Sequence, residues 1–428
     1  MIIFYCLLAC ISSIKTTKEV ECELIKTLGN NEIKGLTDEY YEYLKKHLSA
    51  LERREVDLYF IKDIDFHDLS EDQERNILVW DLGGTYFKLS NVKVTIKNKK
   101  IEAKTENTEQ IPYPNAEESK GIYWEDWASE KMIDYVLNNN ILPDASSLIV
   151  SYPLCHTEND SYVETFTKFF AFERPVKRKI MEAVRESISK ILVNKKEKLY
   201  EKFQIDNIEE RLAVKTVVND SVASYFSSKL RSYDFSISII LGTGTNAAFN
   251  IEYQDEKYVL NSEWGSFTPK SIEFWEKEIE IFKKMEELYN KNVNFLDVIA
   301  ANGCKFDLIN SLLPPDHEKI TKENYKEVIE NSSDLRAKIY KVVMERSKQI
   351  IAALTLAAIR NSNKKSCLIV TNGSGFDNPK DSEAFKEIFD DLIQNVIIMG
   401  DDFEVEFLHE EGLTLIGSAL YTLHRIIY

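Results

Sequence analysis

The chain has 428 residues, 44% of them hydrophobic, and a formal net charge of −17 at pH 7. This length and apolar content suffice for a globular protein with two cores, and the acidic balance disfavours nucleic acid or an anionic membrane surface as a general partner, while a local basic pocket for phosphates stays compatible with it. The six cysteines show no Cys-x-x-Cys spacing and the six histidines no metal-ligand spacing, so we expect no structural zinc.

An apolar run from Ile2 to Ile11 opens the chain and is followed by Ser12 and polar residues. The run is too short to span a bilayer, and its position is typical of a signal peptide, which we predict over residues 1–19. Secretion is the expected localisation, with the cytoplasm as the alternative because no Lys or Arg precedes the run. The disulfide state of the four remaining cysteines is left open by their wide spacing, these being Cys22, Cys155, Cys304 and Cys367.

The first chemical motif lies between residues 77 and 88. Apolar residues lead into Asp81 and the turn Gly83-Gly84-Thr85, after which apolar and polar residues alternate, which predicts a buried strand, a tight turn and a second strand. Glycines have no Cβ and therefore let backbone N–H groups face an anion directly. We expect this turn to bind phosphate and Asp81 to hold Mg²⁺ on nucleotide phosphates, directly or through water. An ordinary hairpin is the alternative.

Two polar segments lie further along the chain. Apolar residues at helical spacing predict helices within 18–70 and 124–137, and a short apolar strand then ends at Ser151 before a proline. Ligands of open α/β sheets bind at the carboxyl ends of strands, so Ser151 is a candidate partner of a polar substrate, although a strand-end serine is more often a turn residue. Thr167 and Lys168 follow among phenylalanines, where such a pair alone is usually a surface feature.

A second strand-to-helix corner ends in Asn219 and Asp220. A carboxylate at a strand end, beside the N-terminus of a helix, is well placed to accept a proton from a hydroxyl nucleophile. We therefore predict catalysis at Asp220. The alternative is that Asp220 only caps the following helix, which is common.

A second glycine turn, Gly242-Thr243-Gly244, lies between two apolar strands and repeats the first motif. Two such units predict a duplicated domain, each copy offering one phosphate-binding turn to a shared cleft. Glu263 then lies beside a tryptophan, a combination suited to holding sugar hydroxyls against a ring, with a plain loop as the alternative.

The last third of the chain carries one more small-residue turn. A long helix with a strongly apolar half is predicted over 334–360, and a strand then leads into Gly373-Ser374, a turn suited to the ribose or α-phosphate of a nucleotide. A strand over 403–408, a Glu-Glu-Gly turn and a helix to Tyr428 close the chain.

These motifs, in this order, resemble those of the eukaryotic hexokinases, within the actin-like ATPase superfold. The two glycine turns resemble the family's phosphate motifs, and the segments at Ser151, Thr167-Lys168, Asn219-Asp220 and Glu263 resemble its sugar-binding and catalytic segments. The resemblance implies an α/β fold of two duplicated, ribonuclease H-like domains around a cleft. The implied large domain comprises residues 20–74 and 217–411, and the small domain residues 75–216 and 412–428.

The resemblance implies MgATP-dependent phosphorylation of the 6-hydroxyl of glucose or a related hexose, with Asp220 as general base and Lys168 beside it in catalysis. Neither nucleic acid nor a stable membrane span is expected. The implied sugar-binding residues are Ser151, Thr167, Lys168, Asn219, Asp220, Asn246, Glu263 and Asp307. The implied ATP-binding residues are Asp81, Gly83, Gly84, Thr85, Lys88, Gly242, Thr243, Gly244, Gly373 and Ser374.

The sequence departs from the family pattern at several positions. The family has Arg where Lys88 stands and Asp where Asn372 stands, and Asp307 is the nearest candidate for an expected second sugar-binding glutamate. A carboxylate one methylene shorter is expected to weaken sugar binding rather than abolish chemistry.

Two other functions remain as alternatives. A catalytically weak regulatory protein that binds sugar or nucleotide is favoured by Asn372 and Asp307. An ATPase of the same superfold with a non-sugar substrate would not explain the segments at 166–168 and 261–265. With its predicted signal peptide, the chain resembles the exported hexokinases proposed for some intracellular eukaryotic parasites. This resemblance implies action inside a host cell.

Overall fold

Two β-sheets organise the protein in this computed structural model. The described residues are 27–52, 60–66, 72–84, 86–98, 100–115, 117–156, 160–163, 172–173, 178–288, 293–376, 378–395 and 403–427. The predicted signal peptide, together with Thr85, Thr167 and Lys168, lies outside these ranges. Within them, no helix is both long and apolar enough to cross a membrane.

Thirteen strands and twelve α-helices are described. The strands are β1 Phe60–Lys62, β2 Gln73–Leu82, β3 Tyr86–Lys97, β4 Lys100–Pro112, β5 Ala145–Val150, β6 Leu154–His156, β7 Ser161–Val163, β8 Val214–Asn219, β9 Phe235–Leu241, β10 Thr245–Tyr253, β11 Glu256–Asn261, β12 Ser366–Asn372 and β13 Glu404–Leu408. The helices are α1 Asn30–Glu52, α2 Trp124–Asn139, α3 Ile180–Phe203, α4 Ile208–Leu212, α5 Asp220–Phe226, α6 Glu276–Leu288, α7 Phe295–Ile299, α8 Lys305–Leu312, α9 Tyr325–Glu330, α10 Leu335–Ser362, α11 Pro379–Asn395 and α12 Leu413–Ile427.

The two large sheets share one strand order. The first runs β4-β3-β2-β5-β8 and the second β11-β10-β9-β12-β13, with β1 added beside β11. In each, three strands pair antiparallel as a meander, a fourth strand pairs parallel with the first strand of the meander, and a fifth pairs parallel with the fourth. The repeated topology agrees with the duplicated α/β fold predicted from the two glycine turns.

The apolar run before the first turn forms a central strand. Four residues of β2 are fully buried: Ile77, Leu78, Val79 and Trp80. Neighbouring strands flank β2 on both sides, and helices cover both faces of that part of the sheet. The edge strand β4, by contrast, is largely exposed and rich in charged residues, a composition that protects a sheet edge from further pairing.

The long apolar helix forms as predicted. Asp334 accepts a hydrogen bond from the backbone N–H of Arg336 and caps α10, and the half from Ile350 to Ile359 is buried in the core of the six-stranded sheet. Sequence patterns between residues 18 and 70 predicted helices alone. The structure shows α1 there but also the short strand β1, which pairs with β11.

Helices α5 and α12 lie between the two sheets. They pack on each other; α12 contacts β2, β5 and β8, while α5 contacts β9 and β10. One apolar cluster accordingly combines residues of both sheets with residues of these helices, for example Val79, Ala248, Val222 and Leu420. The exact domain boundaries given above stay a prediction.

Candidate active site

The first glycine turn joins β2 to β3 and lies beside a carboxylate and a cation. Asp81 pairs with Lys88 in the strand register, and Lys88 Nζ lies 3.9 Å from Asp81 Oδ2. Asp81 is 8% exposed, whereas Lys88 is only partly buried. A carboxylate and a cation beside a half-buried glycine turn suit a site for phosphate oxygens with an outer-sphere Mg²⁺. Thr85, the third predicted residue of this turn, lies outside the described residues.

The carbonyl of this turn is held by a tyrosine that sequence analysis did not identify. Tyr113 donates its hydroxyl hydrogen to the Gly83 carbonyl oxygen, at 2.8 Å. Tyr113 directly follows β4, and no spacing in the sequence links it to the turn.

Ser151, which is 9% exposed, lies nearby at the end of β5, and its backbone N–H donates to the carbonyl of Leu82 at 3.2 Å.

The Asn-Asp corner forms between β8 and α5. Asn219 caps the helix through its side-chain oxygen, which accepts from the N–H of Ser221 at 3.0 Å, and its amide group donates to the carbonyls of Val150 and Tyr152. Asp220 is therefore the first helical residue rather than the cap. Its Oδ1 accepts from Ser221 N–H at 2.8 Å, and no described residue donates to Oδ2. One carboxylate oxygen is thus held at a helix N-terminus while the other is available to a hydroxyl.

A network of polar side chains connects this corner to the loop of Glu263. Asn246 donates through Nδ2 to Asn261 Oδ1 at 2.8 Å and to Glu263 Oε1 at 3.2 Å. Asn261 Nδ2 also donates to Glu263 Oε1 at 2.7 Å, and Ser221 Oγ lies 2.8 Å from Asn219 Oδ1. Because these groups orient one another, the amides and the Glu263 carboxylate keep one arrangement in which they can receive a polar ligand.

Two members of this network were not predicted as site residues. Asn261 lies two residues before Glu263, in the same sequence motif, and Ser221 directly follows Asp220. Both lie inside sequence motifs that already contained predicted site residues, and this position is the signal that could have identified them. Glu263 itself adopts a left-handed backbone conformation, with φ of 45°, which is uncommon for a residue other than glycine and is typical of functional loops.

A carboxylate outside the predicted set lies at the second glycine turn. Asp297 on α7 accepts the N–H of Thr245 through Oδ1 at 2.7 Å. It packs so closely that a Cβ on Gly244 would lie 2.9 Å from Oδ1, and one on Gly265 would lie 2.8 Å from it. Asp297 therefore lies against both the second glycine turn and the loop of Glu263.

The position of Asp307 differs from that of Asp297. Asp307 lies on α8 and is exposed. Its assignment to the sugar stays a prediction, and Asp297 is the carboxylate that the fold brings to the network. Spacing along the sequence cannot distinguish the two, because the path of the loop between α7 and α8 decides which of them faces β10.

The third turn lies against the second. The Gly375 N–H donates to the Leu241 carbonyl at 2.7 Å, and Asn302 Nδ2 donates to Ser374 Oγ at 3.1 Å. Asn302 also donates its backbone N–H to the Gly242 carbonyl at 2.8 Å. Gly242, Thr243, Gly244, Gly373 and Ser374 are thus gathered at the carboxyl ends of β9 and β12.

Asn372 is engaged by the C-terminal helix. Its Nδ2 donates to the Thr414 hydroxyl on α12, and its Oδ1 accepts from the N–H of Gly373 at 2.6 Å. The residue that departs from the family pattern in the third turn therefore has a structural role, linking β12 to the start of α12.

The described residues thus bring the predicted site together in two groups. The first group belongs to the five-stranded sheet and contains Asp81, Gly83, Gly84, Lys88 and Ser151. The second lies around α5 and the six-stranded sheet and contains Asn219, Asp220, Asn246, Glu263 and the second and third turns. Thr167 and Lys168 belong to a segment that the structure does not describe, and their roles stay predictions.

No protein-family model matches the chain. Among curated proteins, a hexokinase of Schistosoma mansoni is 25% identical over 229 residues, covering 50% of this chain and 46% of that protein. Hexokinase-2 of Solanum tuberosum is 29% identical over 129 residues, covering 27% of this chain and 23% of that protein. The matched regions therefore span less than half the length of these relatives.

The likeness in structure extends over nearly the whole chain. The structure of the Schistosoma mansoni hexokinase complexed with glucose has a TM-score of 0.72 at 16% identity, covering 95% of this chain and 99% of that one. A second hexokinase crystal structure has a TM-score of 0.68 at 16% identity, covering 96% of this chain and 100% of that one. The predicted two-domain, actin-like ATPase fold is thereby confirmed.

Proposed function

We propose that this chain, a divergent member of the hexokinase family, transfers the terminal phosphoryl group of MgATP to the 6-hydroxyl of glucose or a related hexose. The observation that carries the proposal is the corner at Asn219 and Asp220. There a half-buried carboxylate with one oxygen open to a hydroxyl adjoins a fixed network of amides and Glu263. This arrangement suits general base catalysis on a polyhydroxylated substrate.

In the proposed reaction, Asp220 accepts the proton of the attacking hydroxyl. The hydroxyl oxygen then forms a bond to the terminal phosphorus, and the bond between that phosphorus and the bridging oxygen of ADP breaks. The Ser221 N–H on Asp220 Oδ1 fixes the carboxylate, so that the base is positioned before the sugar arrives. Positioning of this kind supplies much of the rate in phosphoryl transfer.

Recognition of the sugar is assigned to the polar network. The amide of Asn246 and the carboxylate of Glu263 are already hydrogen-bonded to each other, and the network keeps them oriented for sugar hydroxyls. Asn219 and Ser151 complete the described part of the proposed sugar site. Thr167 and Lys168 are assigned to it by the family resemblance.

The nucleotide phosphates are assigned to the glycine turns. Backbone N–H groups of the first and second turns would face the phosphate oxygens, and Lys88 would add a positive charge. Asp81 would hold a water of the Mg²⁺ that accompanies ATP, and that ion neutralises phosphate charge when bound. The third turn, with Ser374, would contact the ribose or α-phosphate.

A catalytically weak binding protein is the second candidate. Asn372 is engaged by Thr414, and Asp297 is engaged by the N–H of Thr245, so both positions serve the fold as well as any ligand. Either engagement would lower affinity for the nucleotide or the sugar without removing the base.

The test is formation of glucose 6-phosphate from MgATP by the full chain, with mannose and fructose as alternative acceptors. Asp220→Asn is expected to lower kcat by about 100-fold or more, because the amide cannot take the proton. Asp206→Asn, at an exposed aspartate outside the site, is the matched control and is expected to leave kcat unchanged. A folded chain that binds glucose or ATP but phosphorylates none of the three sugars would favour the binding protein.

A further inference from the structure

Tyr113 connects the first glycine turn to an aromatic cluster formed with Trp127 and Phe172. Its hydroxyl donates to the Gly83 carbonyl at 2.8 Å. Its ring packs edge-on against Phe172, with 6.2 Å between centroids, and against Trp127 at 5.8 Å. Phe172 is 4% exposed and lies five residues after Thr167 and four after Lys168 in the sequence.

Phe172 is held in place by its described neighbours. Trp127 packs on it at 5.3 Å, and the next residue, Glu173, donates its backbone N–H to the Ile122 carbonyl at 3.0 Å. The Phe172 ring, which Tyr113 contacts, is therefore part of a fixed aromatic cluster rather than of a surface loop.

The hydrogen bond to Gly83 determines which way one peptide group faces. In a trans peptide the carbonyl of Gly83 and the N–H of Gly84 lie in one plane and point in opposite directions. Glycine on both sides removes the Cβ contacts that would otherwise resist rotation of this plane. A donor that holds the Gly83 oxygen on the Tyr113 side therefore directs the Gly84 N–H to the opposite side.

The hydroxyl of Tyr113 is suited to act as a permanent donor. Burial raises the pKa of Tyr113 far above its ordinary value, with Tyr152 and the negative charge of Asp81 adding to the effect. The phenol thus keeps its hydrogen at neutral pH and can donate it to the Gly83 carbonyl.

We propose that Tyr113 is a positioning residue for phosphoryl transfer: its hydroxyl orients the Gly83–Gly84 peptide so that the Gly84 N–H serves the nucleotide phosphates. Its ring also packs in the aromatic cluster of Trp127 and Phe172 and so holds the hydroxyl beside the turn. The proposal rests on the proposed kinase function and adds a residue that no sequence motif contains.

The experiment compares wild-type chain with Tyr113→Phe, which keeps the ring and removes the donor. Affinity for Mg²⁺ with the β,γ-imido analogue of ATP, measured by calorimetry, is expected to fall about 10-fold, in line with loss of one hydrogen bond that orders a phosphate donor. The KM for MgATP is expected to rise by a similar factor, while the KM for the hexose changes less than about twofold because the ring still packs on Phe172.

Tyr135→Phe is the matched control. Tyr135 is also a buried tyrosine of this half of the chain, and its hydroxyl donates at 2.6 Å to the carbonyl of Asn107, a residue of β4 that is not part of the turn. It is expected to lose comparable thermal stability and to keep the nucleotide affinity of wild type. Equal nucleotide affinity in wild type and Tyr113→Phe would overturn the proposal.

The two proposals fail in distinguishable ways. A wild-type chain that binds the analogue but phosphorylates no hexose would refute the kinase function, and the affinity of Tyr113→Phe would still decide the role of Tyr113. A wild-type chain that binds no nucleotide would refute both. If Tyr113→Phe does not fold, Phe172→Leu replaces it, because that change leaves the hydroxyl but loosens the ring beside it. Weaker nucleotide affinity would then support the proposal, and unchanged affinity would overturn it.

Discussion

At the scale of single residues, the second glycine turn is organised by one carboxylate. Asp297 accepts the Thr245 N–H at 2.7 Å and also accepts from Asn294 Nδ2 at 3.1 Å. Thr245 is 4% exposed, so its N–H has little access to water as an alternative partner. Asp297 thus stabilises the turn and places negative charge next to the Glu263 loop.

Replacement of Asp297 by alanine is expected to have two effects. Loss of the acceptor for a buried N–H is expected to lower the free energy of unfolding by roughly 1–3 kcal/mol. The KM values for MgATP and for the hexose are both expected to rise, because Asp297 contacts both the second glycine turn and the Glu263 loop. Asp307→Ala, at an exposed position, is the comparison and is expected to change both quantities little. A larger hexose effect from Asp307→Ala would instead support the assignment made from sequence.

Asp297 and Tyr113 show where sequence reasoning reached its limit. Asp220, Asn219 and Glu263 could be placed because each ends a recognisable strand or loop motif. Asp297 and Tyr113 could not be placed, because their partners lie 52 and 30 residues away in sequence and only the tertiary fold brings them together.

At the scale of elements, the crossing of α5 and α12 is unusually close. Gly417 on α12 faces Ala223 on α5, and a Cβ at Gly417 would lie only 1.8 Å from the Ala223 carbonyl oxygen. The two helices can therefore approach only because position 417 has no side chain. Since both helices lie between the sheets, this contact helps to set how the sheets are joined.

Gly417→Ala is accordingly expected to destabilise the protein by roughly 1–3 kcal/mol through overpacking, as measured by urea unfolding. Because Asp220 begins α5, kcat is expected to fall as well. Gly29→Ala is the control, since the nearest atom to a Cβ there is an exposed Glu32 side-chain oxygen at 3.7 Å. Equal stability of the two variants would show that α12 can shift without cost.

Element prediction from sequence succeeded where one pattern dominated. The β2 and α10 segments were predicted because their apolar runs are long and their ends carry turn or capping residues. Strand β1 has only three residues in a charged region, and the edge strand β4 exposes most of its polar side chains, so neither has an apolar pattern to identify it.

At the scale of the whole molecule, the proposed substrate contacts come from both sheets. In the proposed sugar site, Ser151 follows β5 of the five-stranded sheet, whereas Asn246 belongs to β10 of the six-stranded sheet. A ligand that contacts both groups stabilises both sheets together. The repeated strand order was predictable in outline from the two glycine turns, but the pairing of β1 with β11 was not.

Thermal unfolding in the presence of hexose tests this arrangement. With glucose at about 100 times its Kd, the protein is expected to gain about 2.7 kcal/mol of stability, and the whole molecule is expected to unfold in one transition at a higher Tm. A sugar that is not a substrate serves as the control for nonspecific stabilisation. Two separate transitions, of which glucose shifts only one, would contradict shared binding.

The position of α12 has a consequence for how the chain matures during synthesis. This helix covers β2, β5 and β8, strands built from residues 73 to 219, yet it is formed by residues 413 to 427 and follows every other described element. While the chain is being translated, the apolar face that includes Val79 and Ile149 stays uncovered until Leu420 and Leu423 have left the ribosome. The five-stranded sheet is therefore made early but buried late, and ribosome-associated chaperones would meet that exposed face first.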